Sequence, residues 1–371
     1  MNILIISEFF PHSEHCEIRG GVEARAFYVA KELAKKHKVT VITSLEKGLK
    51  KEQGFSGINV IRVGIPRAYT QQGSFIERIA FVRDAMKHGL DVEADIVDGY
   101  NFISYLAAYK IARKKKIKSI ATYHDVWLRQ WIKNVGLLSG LAGEIIERYV
   151  LSRKWDRFIA VSNYTRQKLI NSGVKKERIA VVHNGIDLEE IGKIRTIKYA
   201  APTICCVSRL VKYKKVDTLI KAVALVKEKI PKIQCNIIGT GPEKKSLNNL
   251  IGCLKLEKNA HLLGFIPKHR DVLKEIKKSQ VFCLPSSVEG FGMTVIEALA
   301  CGVPCVISDI PPLLEITEGG RGCAIFRAGN HEELAESIMS LINAREKKDM
   351  GFLKKYDWKK IAKNVEKAYL K

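Results

Sequence analysis

The sequence predicts an α/β protein built as two Rossmann-like, parallel-sheet domains facing across a cleft, and two observations carry the prediction. Short apolar runs alternate with amphipathic segments along the whole chain, the pattern of βα units feeding a parallel sheet. The chain has 371 residues, and a single core rarely grows past about 250–300 residues. Two domains with a cleft between them are therefore the default.

The opening run MNILIISEFF is apolar, lacks a basic n-region and meets Pro11, His12 and Glu14 at once. It reads as a buried first strand, Asn2–Phe9, rather than a signal peptide. A helix pattern, Val22–His37, follows Gly20-Gly21. Further strands are expected at Val39–Thr43, Ile58–Val63, Ile96–Gly99, Ser119–Tyr123, Phe158–Ser162 and Ile179–His183. After the charged stretch Leu188–Tyr199 a second series begins: Thr203–Val207, Gln234–Gly239, His261–Phe265, Val281–Pro285, Cys305–Ser308 and Ala324–Phe326. Glu332–Asn343 reads as a helix. In the tail, Trp358, Ile361, Val365 and Tyr369 recur at helical spacing, so it should pack back on the first domain. The expected division is residues 1–190, 200–350 and a tail 351–371.

Composition narrows the function classes. Hydrophobic residues at 46% and charged residues at 27% describe a globular chain. The longest weakly polar stretch, Val135–Ile146, is far short of the ~20 apolar residues of a spanning helix. Of nine cysteines, Cys205, Cys206, Cys235, Cys283 and Cys305 sit in strand-like runs without metal-ligand spacing. They read as reduced core residues of a cytoplasmic protein. The net charge is +24, with 31 Lys+Arg against 19 Asp+Glu up to Asp187 and 32 against 20 beyond it. Basicity spread so evenly suits anionic small-molecule substrates or peripheral contact with anionic lipid, and no nucleic-acid partner is expected.

Four motifs carry chemistry. Gly20-Gly21 precedes the first helix with Glu23 in its first turn, and backbone there can approach a phosphate or acceptor; a plain turn before a helix fits equally. Gly239-Thr240-Gly241-Pro242 follows a strand, but Lys244 replaces the third glycine of a dinucleotide fingerprint, so no NAD site is expected. Strand Thr203–Val207 runs into Ser208-Arg209-Leu210 and then Lys212, Lys214 and Lys215, fixed positive charge at the carboxyl end of a parallel strand. That placement suits a diphosphate leaving group, although a solvated basic loop is the alternative. The most specific segment runs from Pro285 to Ala298: a strand end, a glycine-rich loop and a helix. In it Glu289 and Glu297 offer acceptors to vicinal hydroxyls, and the amides of Phe291, Gly292 and Met293 face an anion at a helix N-terminus.

These motifs, with Thr122-Tyr123-His124-Asp125, Val161-Ser162, His183-Asn184-Gly185-Ile186-Asp187 and Gly302-Val303-Pro304, resemble glycosyltransferase family 4, retaining enzymes of GT-B architecture, in the right order over nearly the whole chain. The resemblance implies that 1–190 is the acceptor side and 200–350 the nucleotide-sugar donor side. It implies that Arg209 and Lys214 hold the donor diphosphate, Glu297 the nucleotide ribose and Glu289 the sugar hydroxyls. By the same resemblance Gly20 and Gly21 lie by the phosphates, His124 approaches the donor sugar, and Gly241 with Gly290, Phe291, Gly292, Met293 and Thr294 completes the donor cradle. His124 taken alone is equally a hydrogen-bonded strand-end histidine. Ser208 and Lys215 depart from the family's Gly-Arg-Leu…Lys-Gly loop, and Lys215 leaves open which lysine binds phosphate.

The expected reaction is transfer of a sugar from a UDP- or GDP-type donor to a hydroxyl acceptor, glycolipid, lipid-linked or saccharide, with retention by front-face substitution. No carboxylate nucleophile is evident. No Asp-x-Asp triplet occurs to anchor a divalent cation, so no metal and no cofactor are expected. The alternatives are a nucleotide-sugar epimerase or sugar phosphorylase on the same fold, or a catalytically dead basic binding module. Segment Val126–Val150, with Trp127, Trp131, Leu137, Leu138 and Leu141 beside Arg129 and Lys133, reads either as an interfacial membrane face near a lipid-linked acceptor or as an ordinary helix with buried tryptophans.

Overall fold

The computed structural model describes residues 1–14, 18–68, 74–342 and 350–371. They fall into two compact units, Met1–Gly185 with Trp358–Lys371, and Ile186–Asp357.

In the first unit the apolar runs become β1 (Asn2–Ile6), β2 (Lys38–Glu46), β3 (Glu52–Phe55), β4 (Ile58–Arg67), β5 (Ile96–Gly99), β6 (Lys118–Tyr123), β7 (Arg157–Ala160) and β8 (Ile179–Val181). Between them lie α1 (Gly21–Leu33), α2 (Phe75–Asp91), α3 (Ser104–Lys115), α4 (Trp131–Val135), α5 (Leu137–Leu151) and α6 (Asn163–Asn171). The sheet order is β3-β4-β2-β1-β5-β6-β7-β8. Every pairing is parallel except β3 with β4. Helices cover such a sheet on both faces, which is why its strands read as unbroken apolar runs. Tyr105, stacked on Tyr123 at 4.6 Å between ring centroids, and Trp155 sit in its core.

Among the strands, β3 is the one the sequence pattern missed. Its residues, EQGF, show no alternation, and pairing comes from a hairpin in which Ser56 and Gly57 both have positive φ, 52° and 76°. Two consecutive left-handed residues make the tight turn whose twist matches paired strands.

The second unit holds α7 (Leu188–Lys193), β9 (Thr203–Val207), α8 (Val216–Lys229), β10 (Gln234–Ile238), α9 (Lys244–Cys253), β11 (Ala260–Gly264) and α10 (His269–Lys278). It continues with β12 (Val281–Leu284), α11 (Met293–Ala300), β13 (Cys305–Ser308), α12 (Pro311–Ile316), β14 (Cys323–Phe326) and α13 (His331–Ile342). All its strands are parallel, in the order β11-β10-β9-β12-β13-β14. That is the doubly wound order, with its switch point between β9 and β12, where such sheets bind ligands. The eight described cysteines are unbridged, and Cys205, Cys206, Cys235, Cys283, Cys301 and Cys305 are buried.

The tail forms α14 (Trp358–Leu370) and belongs to the first unit, while Gly351–Tyr356 stays with the second. The chain leaves the second unit where Ile186 N donates to Tyr356 O at 2.7 Å and Ile186 bridges to Asp357. Helix α14 docks through its apolar stripe and three specific contacts. Trp358 stacks on Tyr28 of α1 at 5.2 Å, His37 meets Glu366 at 2.8 Å, and Tyr369 Oη donates to Asp98 Oδ2 at 2.7 Å.

Candidate functional site

At the switch point of the second sheet, the loop after β9 is seated on the loop after β10. Leu210 N donates to Thr240 O and Glu243 N to Leu210 O, at 2.9 and 3.0 Å. The approach is too close for side chains. A Cβ on Gly239 would lie 1.9 Å from Ser208 O, and one on Gly241 2.2 Å from Leu210 O. Gly241 thus has a packing reason of its own: it lets the backbone that carries Arg209 lie against the neighbouring loop.

The residues on that loop converge on the loop after β12. Lys214 ends a short 3-10 turn, Lys212–Lys214, and its Nζ lies 2.5 Å from Glu289 Oε1, with the two side chains 13% and 10% exposed. Ser286 Oγ donates to the same oxygen at 2.9 Å, and Ser287 N donates to Tyr213 O at 2.8 Å, tying the two loops together. Arg209 donates from Nη2 to Tyr213 Oη at 2.6 Å, and both Arg209 and Lys214 lie over the Tyr213 ring, at 5.9 and 5.7 Å. Lys215 caps α8 in the left-handed region, φ 53° and ψ 36°, a conformation glycine adopts without cost.

Gly290 and Phe291 lead into α11. Phe291 is buried, edge-on to Tyr356 at 5.8 Å. Gly292 has φ 98°, and a Cβ there would lie 2.4 Å from Leu313 Cδ2. The helix thereby starts without a side-chain cap, leaving the first-turn amides of Met293 and Thr294 at a positive helix end. One turn on, Glu297 is 5% exposed and its Oε1 accepts from His269 Nε2 at 3.0 Å. Sequence reasoning missed His269. It opens α10, and only the folding of β11 and β12 into one sheet brings it beside Glu297. Burial by itself disfavours the His269 imidazolium, but the Glu297 carboxylate outweighs it and raises the pKa, with Asp187 acting in the same direction.

The remaining residues singled out in the sequence, Gly20, Gly21 and His124, lie in the first unit. Gly20 caps α1 in extended backbone, φ −175°, which any residue adopts, and Gly21 begins the helix. His124 follows β6, and its Nε2 is buried without a hydrogen-bond partner among the described residues. Burial first, and the Arg25 guanidinium second, hold its pKa down at about 3, so the imidazole is neutral and offers a hydrogen bond rather than a charge. Arg25 is fully buried and donates through Nη1 to Val182 O, His183 O and Asn184 Oδ1 at 3.0, 2.7 and 2.9 Å. Beneath lies Asp98, whose pKa burial pushes up to about 7 against hydrogen bonds from Tyr369 and Thr122.

The Val126–Val150 segment packs one face and exposes the other. It is broken at Gly136, φ 89°, into α4 and α5. Trp131 is a packing residue, 4.5 Å from Phe102 between centroids, with Nε1 donating to Glu147 Oε2 at 2.6 Å. Leu137, Leu138, Leu141 and Ile145 are exposed, Leu138 at 83%. No helix among the described residues is long and apolar enough to cross a membrane.

A doubly wound sheet with cations and carboxylates at its switch point, preceded by a second mainly parallel sheet, has the GT-B architecture of glycosyltransferases. Comparison with known proteins agrees. The family model described as Glycosyltransferase Family 4 matches residues 19–190, and the model described as Glycosyl transferases group 1 matches residues 188–367. The chain belongs to the family 4 type of GT-B glycosyltransferases. It is 26% identical over 324 residues to an uncharacterized glycosyltransferase of Methanocaldococcus jannaschii, covering 84% of this chain and 85% of that protein. An uncharacterized glycosyltransferase of Haemophilus influenzae is 35% identical over 155 residues, 41% of this chain and 42% of that one. Among solved structures, Anabaena HepE in complex with UDP and glucose superposes with a TM-score of 0.75 at 18% identity, covering 98% of both chains.

Proposed function

We propose that this glycosyltransferase takes a sugar from a UDP- or GDP-type donor and passes it, with retention and without a metal, to a hydroxyl acceptor. The observation that carries the reading is the pairing of Lys214 with Glu289 beside Arg209 at the switch point of the second sheet, with Glu297 on the helix that follows the Glu289 loop. Arg209 and Lys214 neutralise charge growing on the departing diphosphate, the first-turn amides of α11 support the same phosphates, and Glu297 accepts from the ribose. Glu289 receives sugar hydroxyls once Lys214 turns from it to the phosphate. HepE, a GT-B neighbour, was crystallised with UDP and glucose, which supports a nucleotide-sugar donor here.

In the front-face reading the acceptor hydroxyl attacks from the side the diphosphate vacates, and a phosphate oxygen takes the proton. No side chain is required as a covalent nucleophile, so the protein orients the donor and stabilises charge. The acceptor side extends to anionic lipid: the exposed apolar stripe of α5 is flanked by exposed Arg129, Lys133, Arg148, Arg153 and Lys154, the composition of a helix that lies in a membrane interface. Calorimetric titration with UDP, GDP and ADP tests the donor site. Absence of binding by all three at millimolar concentration would end this reading.

A further inference from the structure

Resting on that donor-site reading, we propose that His269 is a positioning residue for ribose recognition: it orients the Glu297 carboxylate, and through it the protein distinguishes a ribonucleoside diphosphate from its 2′-deoxy counterpart.

The geometry singles out this pair. Glu297 stands on α11 with its side chain 7% exposed, where a carboxylate without a fixed donor has no water shell to define its orientation. His269, the first residue of α10, supplies that donor. Its Nε2 is 3.0 Å from Oε1, and with an acceptor-only carboxylate opposite, this nitrogen carries the hydrogen. Oε2 then makes no hydrogen bond within the described residues and remains an acceptor for a hydroxyl, while Oε1 keeps a second lone pair. A vicinal diol presents two O–H donors side by side, and a carboxylate held in one plane accepts both. The 2′-deoxy analogue lacks one of them.

The charged surroundings reinforce the pair. Asp187, the N-cap of α7, acts on the imidazole in the same sense as Glu297. Arg270, next on α10, is drawn instead to Glu190 at 3.3 Å. Lys268 precedes His269 and is exposed. Among the described residues Glu297 therefore has one hydrogen-bonding side-chain partner, the imidazole, and removing it releases the carboxylate.

The test is a cycle between protein and ligand. Affinities for UDP, GDP and ADP and for their 2′-deoxy counterparts are measured with the intact wild-type chain, His269→Ala, His269→Gln and Glu297→Gln, and kcat and KM are taken for the donor that turns over. A hydrogen bond to a charged group sets the scale at about tenfold. His269→Ala is expected to weaken the ribonucleotide about tenfold and the 2′-deoxynucleotide less than twofold, raising KM with kcat unchanged. His269→Gln, whose amide N–H reaches the same oxygen, should recover to within about threefold. Equal weakening of both nucleotides by His269→Ala, or no weakening of either, would overturn the proposal while leaving the donor site standing if wild type binds and Glu297→Gln narrows the ribo-to-deoxy ratio. Failure of wild type to bind any of the nucleotides removes the donor site, and this inference with it.

Discussion

Lys214 Nζ and Glu289 Oε1 are 2.5 Å apart across two loops that follow different strands, β9 and β12. The ammonium proposed to meet a diphosphate is thereby paired with the carboxylate proposed to meet the sugar. Lys215, one residue on, has no such partner among the described residues and caps α8. Lys214→Ala is expected to lower turnover at saturating donor by about 10²–10³, the range seen when a preorganised charge-stabilising donor is removed, and Lys215→Ala by less than about tenfold. Steady-state rates with melting curves as a folding control decide it. The reverse pattern would show that the phosphate-binding lysine is Lys215.

Lys215 also tests the backbone. Its φ of 53° falls where a side chain costs roughly 1–2 kcal/mol, partly offset by the extra flexibility glycine brings to the unfolded chain. Lys215→Gly is expected to raise stability by about 0.5–1 kcal/mol, readable as a higher denaturation midpoint at unchanged slope.

Gly241→Ala places a Cβ against Leu210 O, a contact of 2.2 Å with backbone that has no side-chain rotation to relieve it. A cost of about 1–3 kcal/mol is expected, together with a lower kcat/KM, because the displaced loop carries Arg209. Wild-type stability and wild-type kinetics in this variant would contradict the seating role.

Turnover is expected to persist in EDTA. In the proposed mechanism Arg209 and Lys214 neutralise the charge for which many transferases use a cation. Loss of activity on chelation, restored by Mg²⁺ or Mn²⁺, would contradict the metal-free mechanism.

Asp98 makes a pH prediction. Its folded pKa, about 7, stands above its ordinary 3.8, so the carboxyl contributes stability below about pH 4 that is lost as pH rises through about 7. Melting temperatures from about pH 4 to about pH 8 should fall more steeply for wild type than for Asp98→Asn. Parallel curves would refute it.

The lipid-facing reading predicts sedimentation with anionic liposomes at low salt, weakening as salt shortens the Debye length. Leu138→Glu should abolish it with little effect on folding, since Leu138 is 83% exposed. A wild-type chain that stays in solution at low salt would refute membrane contact.

The sequence alone determined the two series of parallel strands, the glycine pairs at loop seats, and the cations and carboxylates that follow strand ends. These features are local: an apolar run of five residues, a glycine before a helix or a charge one residue past a strand is set by near neighbours along the chain. Helix α14 was legible for the same reason, from Trp358, Ile361, Val365 and Tyr369 on one stripe. Tertiary structure alone decided the pairings. Polar β3 becomes a strand because β4 offers its edge, and Lys214 finds Glu289 from 75 positions away. His269 reaches Glu297 because the folding of β11 and β12 into one sheet sets α10 against α11, and Asp98 acquires its raised pKa from burial, against a hydrogen bond from Tyr369, 271 positions distant. Contacts at such separations leave no periodicity in a sequence, since the pairing energy is realised only after the sheets have closed the intervening loops.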